Sequence, residues 1–313
     1  MTRKHRADHI PLVHSTVVIM LESNLQNALT VDVEDYFQVA ALASAVSRES
    51  WPSREYRVDR NTSELLELFD NKGVHATFFV LGWVAERSPS LIRRIADAGH
   101  DVASHGYSHR CVYEQTPEEF REETIRSKGI LENLIGEAVT GYRAASFSIT
   151  KASLWALDVL IDLGFQYDSS VFPIRHDRYG IPDAGRHAGI LTAPSGRTLV
   201  EFPMSTATLL GQRLPVSGGG YFRLLPYRLI RTGLRQVNRS QQQPFVFYLH
   251  PWEIDPGQPR IDAGRLSTFR HYTNLGVCKA RLGKLLDEFR FTTMRDVLQQ
   301  HGFLKRRSPA FPS

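Results

Sequence analysis

Cysteine is nearly absent. Cys111 and Cys278 are the only two among 313 residues, so no disulfide framework holds this chain, and no C-x-x-C or zinc-knuckle spacing exists. Two free, buried thiols are expected. Long apolar runs are missing as well. The run at 16–21 falls far short of the ~18 residues of a membrane span. It leads into Glu22-Ser23-Asn24 without a small-residue cleavage pattern, which argues against a secretory signal. Nothing repeats at a solenoid period, and no segment is of low complexity. A basic face is lacking too. The net charge of +5 is outweighed by Arg3, Lys4, Arg6, Lys305, Arg306 and Arg307 at the two ends, which leaves the stretch between them near neutrality. Nucleic acid is therefore not an expected partner. A cytoplasmic protein without an integral membrane segment is expected, its basic ends free to touch anionic lipid.

What is present is an ordinary supply of core: 42% hydrophobic and 23% charged residues, enough for one large domain. Residues 1–27 read as an extension, 28–303 as a single domain and 304–313 as a basic tail. Residues 28–33, 75–81, 101–103 and 244–249 read as short buried strands, rich in aromatic and β-branched side chains. Helical spacing falls between them. One helix runs over 62–69, capped by Asn61 or Thr62 and stopped by Gly73. Others open at Ser88-Pro89, at Thr116-Pro117 (running to about Ile135) and at Thr150, and two more cover 280–289 and 294–300. Strands alternating with helices predict a parallel α/β architecture. The stretch 172–243, irregular and rich in Pro, Gly and Arg, reads as long loops and short strands inserted in the same domain. Its Gly218-Gly219-Gly220 lacks the Gly-Lys-Ser/Thr of a phosphate loop and reads as a flexible turn.

Several of these strands end in reactive groups, and in parallel α/β folds ligands bind beyond the carboxyl ends of strands. The first ends in Asp32-Val33-Glu34-Asp35 and the third in Ser104-His105-Gly106-Tyr107-Ser108-His109. One near 140 ends in Tyr142-Arg143, and the last in His250-Pro251-Trp252-Glu253. Histidines four apart with a glycine between them, plus a carboxylate, form a donor set suited to zinc and similar ions. On spacing alone, the two histidines read equally well as a surface loop, and the acids as a solvated loop or helix cap. Trp252 reads either as a platform for a sugar ring or as core.

Together these segments resemble the polysaccharide deacetylase family, the NodB homology domain of carbohydrate esterase family 4. His75-Ala76-Thr77-Phe78-Phe79-Val80-Leu81-Gly82 is similar to its second-strand signature. The run from Gly99 to His109 is similar to its H-x3-H metal segment, and Tyr248-Leu249-His250 to its closing L-x-H motif. Residues 217–223 and 250–256 add a likeness to a bacterial exopolysaccharide-locus branch. The resemblance implies a distorted (β/α) barrel and metal-dependent removal of N-acetyl groups from a polysaccharide or its lipid-linked precursor. It implies Asp32 as catalytic base, and Glu34, His105 and His109 as ligands of a divalent metal, zinc first, with cobalt, nickel or manganese also suited. Arg143 would orient the base, His250 would be the general acid, and Asp168 in Tyr167-Asp168-Ser169-Ser170 would support it. Asp32-Val33-Glu34-Asp35 departs from the family's two adjacent aspartates, so Asp35 is the alternative ligand. Ala144-Ala145-Ser146-Phe147 replaces the usual proline-rich continuation after the arginine. Two rival readings stand beside this one. One is a metal-independent cyclic amidase like allantoinase; the other is an inactive glycan-binding subunit of a polymer-synthesis complex.

Overall fold

The computed structural model describes residues 25–305, so the extension through residue 24 and the tail from 306 lie outside the described residues. In chain order the elements are β1 (Asn27–Val33), α1 (Val58–Lys72), β2 (Thr77–Val80), α2 (Gly82–Arg87), α3 (Pro89–Asp97), β3 (Asp101–Ser104), α4 (Pro117–Ile135), β4 (Gly141–Tyr142), α5 (Trp155–Asp162) and β5 (Tyr167–Asp168). The second half adds β6 (Gly189–Thr192), β7 (Thr198–Glu201), β8 (Thr206–Leu209), β9 (Gln212–Pro215), α6 (Gly219–Leu224), α7 (Tyr227–Arg235), β10 (Val246–Leu249), α8 (Arg265–Tyr272), α9 (Leu275–Glu288), β11 (Phe291–Thr292) and α10 (Met294–Gln300).

Nine strands form one sheet in the order β10-β1-β2-β3-β4-β5-β7-β6, with β11 beside the start of β1. Every pairing is parallel except β6 with β7. The path curls without joining its ends, giving a half-barrel in a single domain. It is the expected distorted (β/α) barrel, left open.

Side-chain alternation sorts the strands into two faces. Leu29, Val31, Phe78, Val80, Phe247 and Leu249 pack outward against the helices. Ala28, Phe79, Ala103, Tyr167, Val246 and Tyr248 fill the inside of the curl. The same parity, continued one step past the strand ends, turns polar. Ala28 leads to Thr30, Asp32 and Glu34; Ala103 to His105; Gly141 to Arg143; Val246 and Tyr248 to His250. One rim thus receives the chemistry of four strands.

The long helices obey their local signals. Thr116 and Glu119 form a reciprocal capping box at the start of α4, Pro89 occupies the first turn of α3, and Gly73 closes α1 at φ 60°. Helix α1 begins at Val58, four residues before the expected Thr62, because its cap comes from elsewhere in the chain. The Asp35 carboxylate accepts from the N–H groups of Arg57 at 2.6 Å and Val58 at 2.9 Å. The helix opened by Thr150 is broken into a short 3-10 turn over 151–153 and α5. The stretch 172–243 is more ordered than loops and short strands, since it contains α6 and α7; α2 and α8 also have no counterpart in the sequence reading. Gly218-Gly219-Gly220 is no flexible turn. A Cβ on Gly218 would sit 1.9 Å from the carbonyl oxygen of Tyr248 and one on Gly219 2.3 Å from its hydroxyl, so bare backbone is what lets this segment lie against β10.

Gly141 makes the same point inside the sheet, where a Cβ would fall 2.2 Å from the Tyr167 ring. Overpacking of this kind costs about 1–3 kcal/mol, and the neighbouring ring, filling the curl, has nowhere to go. Urea unfolding of Gly141→Ala is expected to show a loss in that range. Gly73→Ala, where only the left-handed backbone resists, is expected to lose about 1 kcal/mol.

Candidate functional site

Arg143 stands at the centre of the rim. Its side chain has no exposed surface. It donates to Asp32 Oδ1 at 2.6 Å, to Thr30 Oγ1 at 2.8 Å, and to the carbonyl and hydroxyl oxygens of Ser169 at 3.1 and 3.0 Å. The Phe79 ring lies under the guanidinium at 4.1 Å. One oxygen of Asp32 is thus fixed, and the other, Oδ2, faces His250 Nε2 at 3.9 Å.

Glu34, His105 and His109 form a second group, with one ligand atom from each lying within 4.8 Å of the others. Glu34 Oε2 approaches His109 Nε2 to 2.7 Å, yet it is buried and no hydrogen bond of acceptable direction reaches it. The His105 Nδ1–H donates to the Arg143 carbonyl at 2.8 Å, which leaves Nε2 as that ring's open lone pair. An orphaned carboxylate oxygen beside two imidazole nitrogens fits a divalent cation. The loop carrying the histidines is held by its backbone: Gly106 takes φ 76° and His109 φ 53°, and the N–H groups of Gly82 and Trp83 bond the carbonyls of Gly106 and Tyr107.

Electrostatics separates the histidines. Burial pushes the His105 imidazole down to about 4, so it is neutral at pH 7 with a lone pair to give. Burial also opposes charge on His250, but Glu34, Glu253 and Asp32 overcome it and raise this ring to about 9. Burial alone would raise Glu34. The neighbouring imidazoles, His109 and His250 foremost, prevail and hold it at about 2.

His250 is held from the other side by Glu253, one turn on in its own 3-10 segment. The ring Nδ1–H donates to Glu253 Oε2 at 3.2 Å, and the Arg223 Nε–H donates to Oε1 at 2.7 Å. Arg223 is itself buried and donates to the carbonyls of His271, Thr273 and Arg270. Trp252 stacks on His250 at 5.1 Å and on His271 at 4.2 Å, and its indole N–H donates to Glu34 Oε1 at 3.2 Å. It packs as a buried wall of the site.

Two expected roles fail on geometry. Asp168 does not support His250: it follows Tyr167 in β5 and so points to the outer face of the sheet, beside Glu201 on the neighbouring strand. Glu253 takes that place. Asp35, the alternative ligand, is committed to capping α1 and to the N–H of Tyr36, outside the Glu34–His105–His109 group. Glu253 and Arg223 were the residues that sequence reasoning passed over. The spacing of His250 and Glu253, three apart around Pro251, was the available signal.

Asp32, Glu34, His105, His109 and His250 therefore line one cleft at the carboxyl ends of an open, parallel α/β half-barrel, with Arg143 buried behind Asp32, and this defines the structural class. Residues 53–167 match the family model for polysaccharide deacetylase, and residues 169–299 match a domain of unknown function, DUF3473. The stretch 53–167 thus resembles a polysaccharide deacetylase domain, and that model covers little more than a third of the chain. A peptidoglycan-N-acetylglucosamine deacetylase of Bacillus cereus is 35% identical over 98 residues, which is 31% of this chain and 36% of that protein. A peptidoglycan deacetylase of Helicobacter pylori is 33% identical over 107 residues, 34% of this chain and 36% of that one. The chain thus matches about a third of the length of these relatives. Among solved structures, a polysaccharide deacetylase assignment from Mycobacterium smegmatis aligns with TM-score 0.57 at 20% identity, covering 92% of this chain and 95% of the other. The Puue allantoinase aligns at 0.53 with 16% identity, covering 90% and 91%. These likenesses establish the fold.

Removing one partner of a buried ion pair costs about 3–5 kcal/mol. Arg143→Met is expected to lose that much in urea unfolding. The double variant Asp32→Asn/Arg143→Met is expected to recover part of it, because the stranded carboxylate is gone.

Proposed function

We propose that this protein is a metal-dependent hydrolase that removes N-acetyl groups from a polysaccharide or its lipid-linked precursor. The observation that carries the reading is the meeting, in one cleft, of the Glu34–His105–His109 donor set with Asp32 and His250. An amide is a poor electrophile and water a poor nucleophile. Glu34, His105 and His109 would hold a divalent ion, zinc first among the candidates, which would supply the Lewis acidity that lowers the pKa of water toward about 7. The protein's own groups do the rest. Asp32, anchored through Oδ1 by Arg143, presents Oδ2 to take the proton of the attacking water. As the carbon–nitrogen bond breaks, His250 gives its proton to the departing amine, and acetate and the free amino sugar leave. Glu253 and Arg223 keep that imidazole turned toward the cleft. The likeness of 217–223 and 250–256 to an exopolysaccharide branch favours a polymer under synthesis as substrate. Against the metal-free cyclic amidase, the unsatisfied Glu34 Oε2 favours an ion.

Acetate release from N-acetylglucosamine oligomers, with elemental analysis of the purified protein, tests the reading. Asp32→Asn and His250→Ala are expected to lower kcat by about 10²–10⁴ while metal stays bound. His105→Ala and Glu34→Gln are expected to lose metal and activity together, whereas Asp35→Asn keeps the metal. Full metal binding by His105→Ala, or full turnover by Asp32→Asn, would refute the assignment.

The pH profile carries its own expectation. His250 must be protonated to act as acid, so activity declines as pH rises through the pKa of this imidazole, which Glu253 and Asp32 push upward. Glu253→Gln removes an anion that favours the charged ring, so the alkaline limb should move to lower pH as kcat falls. An unmoved limb would show that Glu253 does not tune His250.

A further inference from the structure

Helix α8 wears its large apolar residues on the outside. At about 100° per residue, Arg265, Phe269, Leu266 and Arg270 share one arc of roughly 140°. Leu266 is 61% and Phe269 58% exposed, while His271 on the opposite side is buried. The apolar pair is therefore flanked by an arginine on each side. The helix contains no acid. Across 260–272, three arginines stand against a single aspartate, and the carboxylate of that residue, Asp262, accepts from the Gly264 N–H at 3.1 Å. Neither Arg265 nor Arg270 is ion-paired to a described residue. Arg270 also lines the cleft with Glu34, His105 and His109, so this arc borders the mouth of the site.

Single exposed hydrophobics are common and call for no explanation. Two adjacent ones, bracketed by guanidinium groups, match the chemistry of a lipid–water interface. Apolar side chains enter the acyl boundary there, and arginines reach back to phosphate. A second copy of the chain fits less well, since a two-fold contact through this face would set arginine against arginine.

We propose that α8 is a docking surface for an anionic lipid bilayer and holds the mouth of the cleft against the membrane. The proposal concerns binding alone and does not require that the chain be a deacetylase.

Flotation of the full chain with vesicles tests it, using phosphatidylcholine alone or with about a third phosphatidylglycerol. The chain is expected to float with the anionic vesicles, to stay behind with the neutral ones, and to release as salt shortens the screening length from ~10 Å to ~3 Å. Leu266→Ser/Phe269→Ser is expected to weaken vesicle binding at least about tenfold with unchanged thermal unfolding, and Arg260→Gln/Arg265→Gln to weaken it further at moderate salt. Failure of the unaltered chain to float with anionic vesicles would overturn the proposal. So would flotation of Leu266→Ser/Phe269→Ser at the level of the unaltered chain, which would place the contact at the basic termini. A chain that self-associates instead of floating would assign the face to a second copy.

Discussion

One buried ion pair organises the site: Arg143 against Asp32. The guanidinium has no exposed surface, so its charge is balanced by what surrounds it inside the sheet. Asp32 supplies the anion, Thr30 and Ser169 the remaining acceptors, and the Phe79 ring the floor. Because these partners come from β1, β2 and the end of β5, the pair ties strands together and fixes one carboxylate oxygen at the same time. Replacement by apolar residues could be as stable, since buried ion pairs return little net energy. What such a replacement would lose is the aim of Asp32 Oδ2 into the cleft.

Around that pair the cleft divides by electrostatics. His105, buried and hydrogen-bonded through Nδ1 to a carbonyl, is neutral and offers its other nitrogen. His250, surrounded by three carboxylates, carries a proton. Identical side chains thus serve opposite purposes, and their surroundings set the difference. Trp252 links the two sides: it stacks on His250 while its indole N–H steadies Glu34. Exclusion of water by this wall strengthens each of those interactions.

The second half of the chain does more than close the fold. It delivers His250 next to β10, and it builds the chain of supports behind that ring from Glu253 to Arg223 and on to the carbonyls at the C-terminal end of α8. The first family match begins after Asp32 and Glu34 and ends before His250, so neither matched segment contains the whole site. The parallel pairing of β10 with β1 brings His250 to the rim where Asp32 and Glu34 stand.

Local chemistry was enough to locate the three longest helices and the strands that carry the site, β1 to β4 and β10. The capping box of α4, the proline opening α3, the glycine closing α1 and the apolar run of β10 each carry their signal within a few residues. The reactive strand ends were legible for the same reason, as was the family resemblance of the His105 segment. Tertiary structure decided whatever depended on contacts between distant residues. Helix α1 starts early because Asp35 caps it from more than twenty residues away, a bond that no local pattern reveals. Asp168 looked like a partner for His250, but alternation along β5 turns it to the other face, and Glu253 takes its place. The sequence by itself determined which chemical groups this protein has and roughly where its strands end. Which carboxylate faces the histidines, and which acid holds His250, followed only once the sheet curled, because facing is a property of parity and packing that spacing along a chain does not carry.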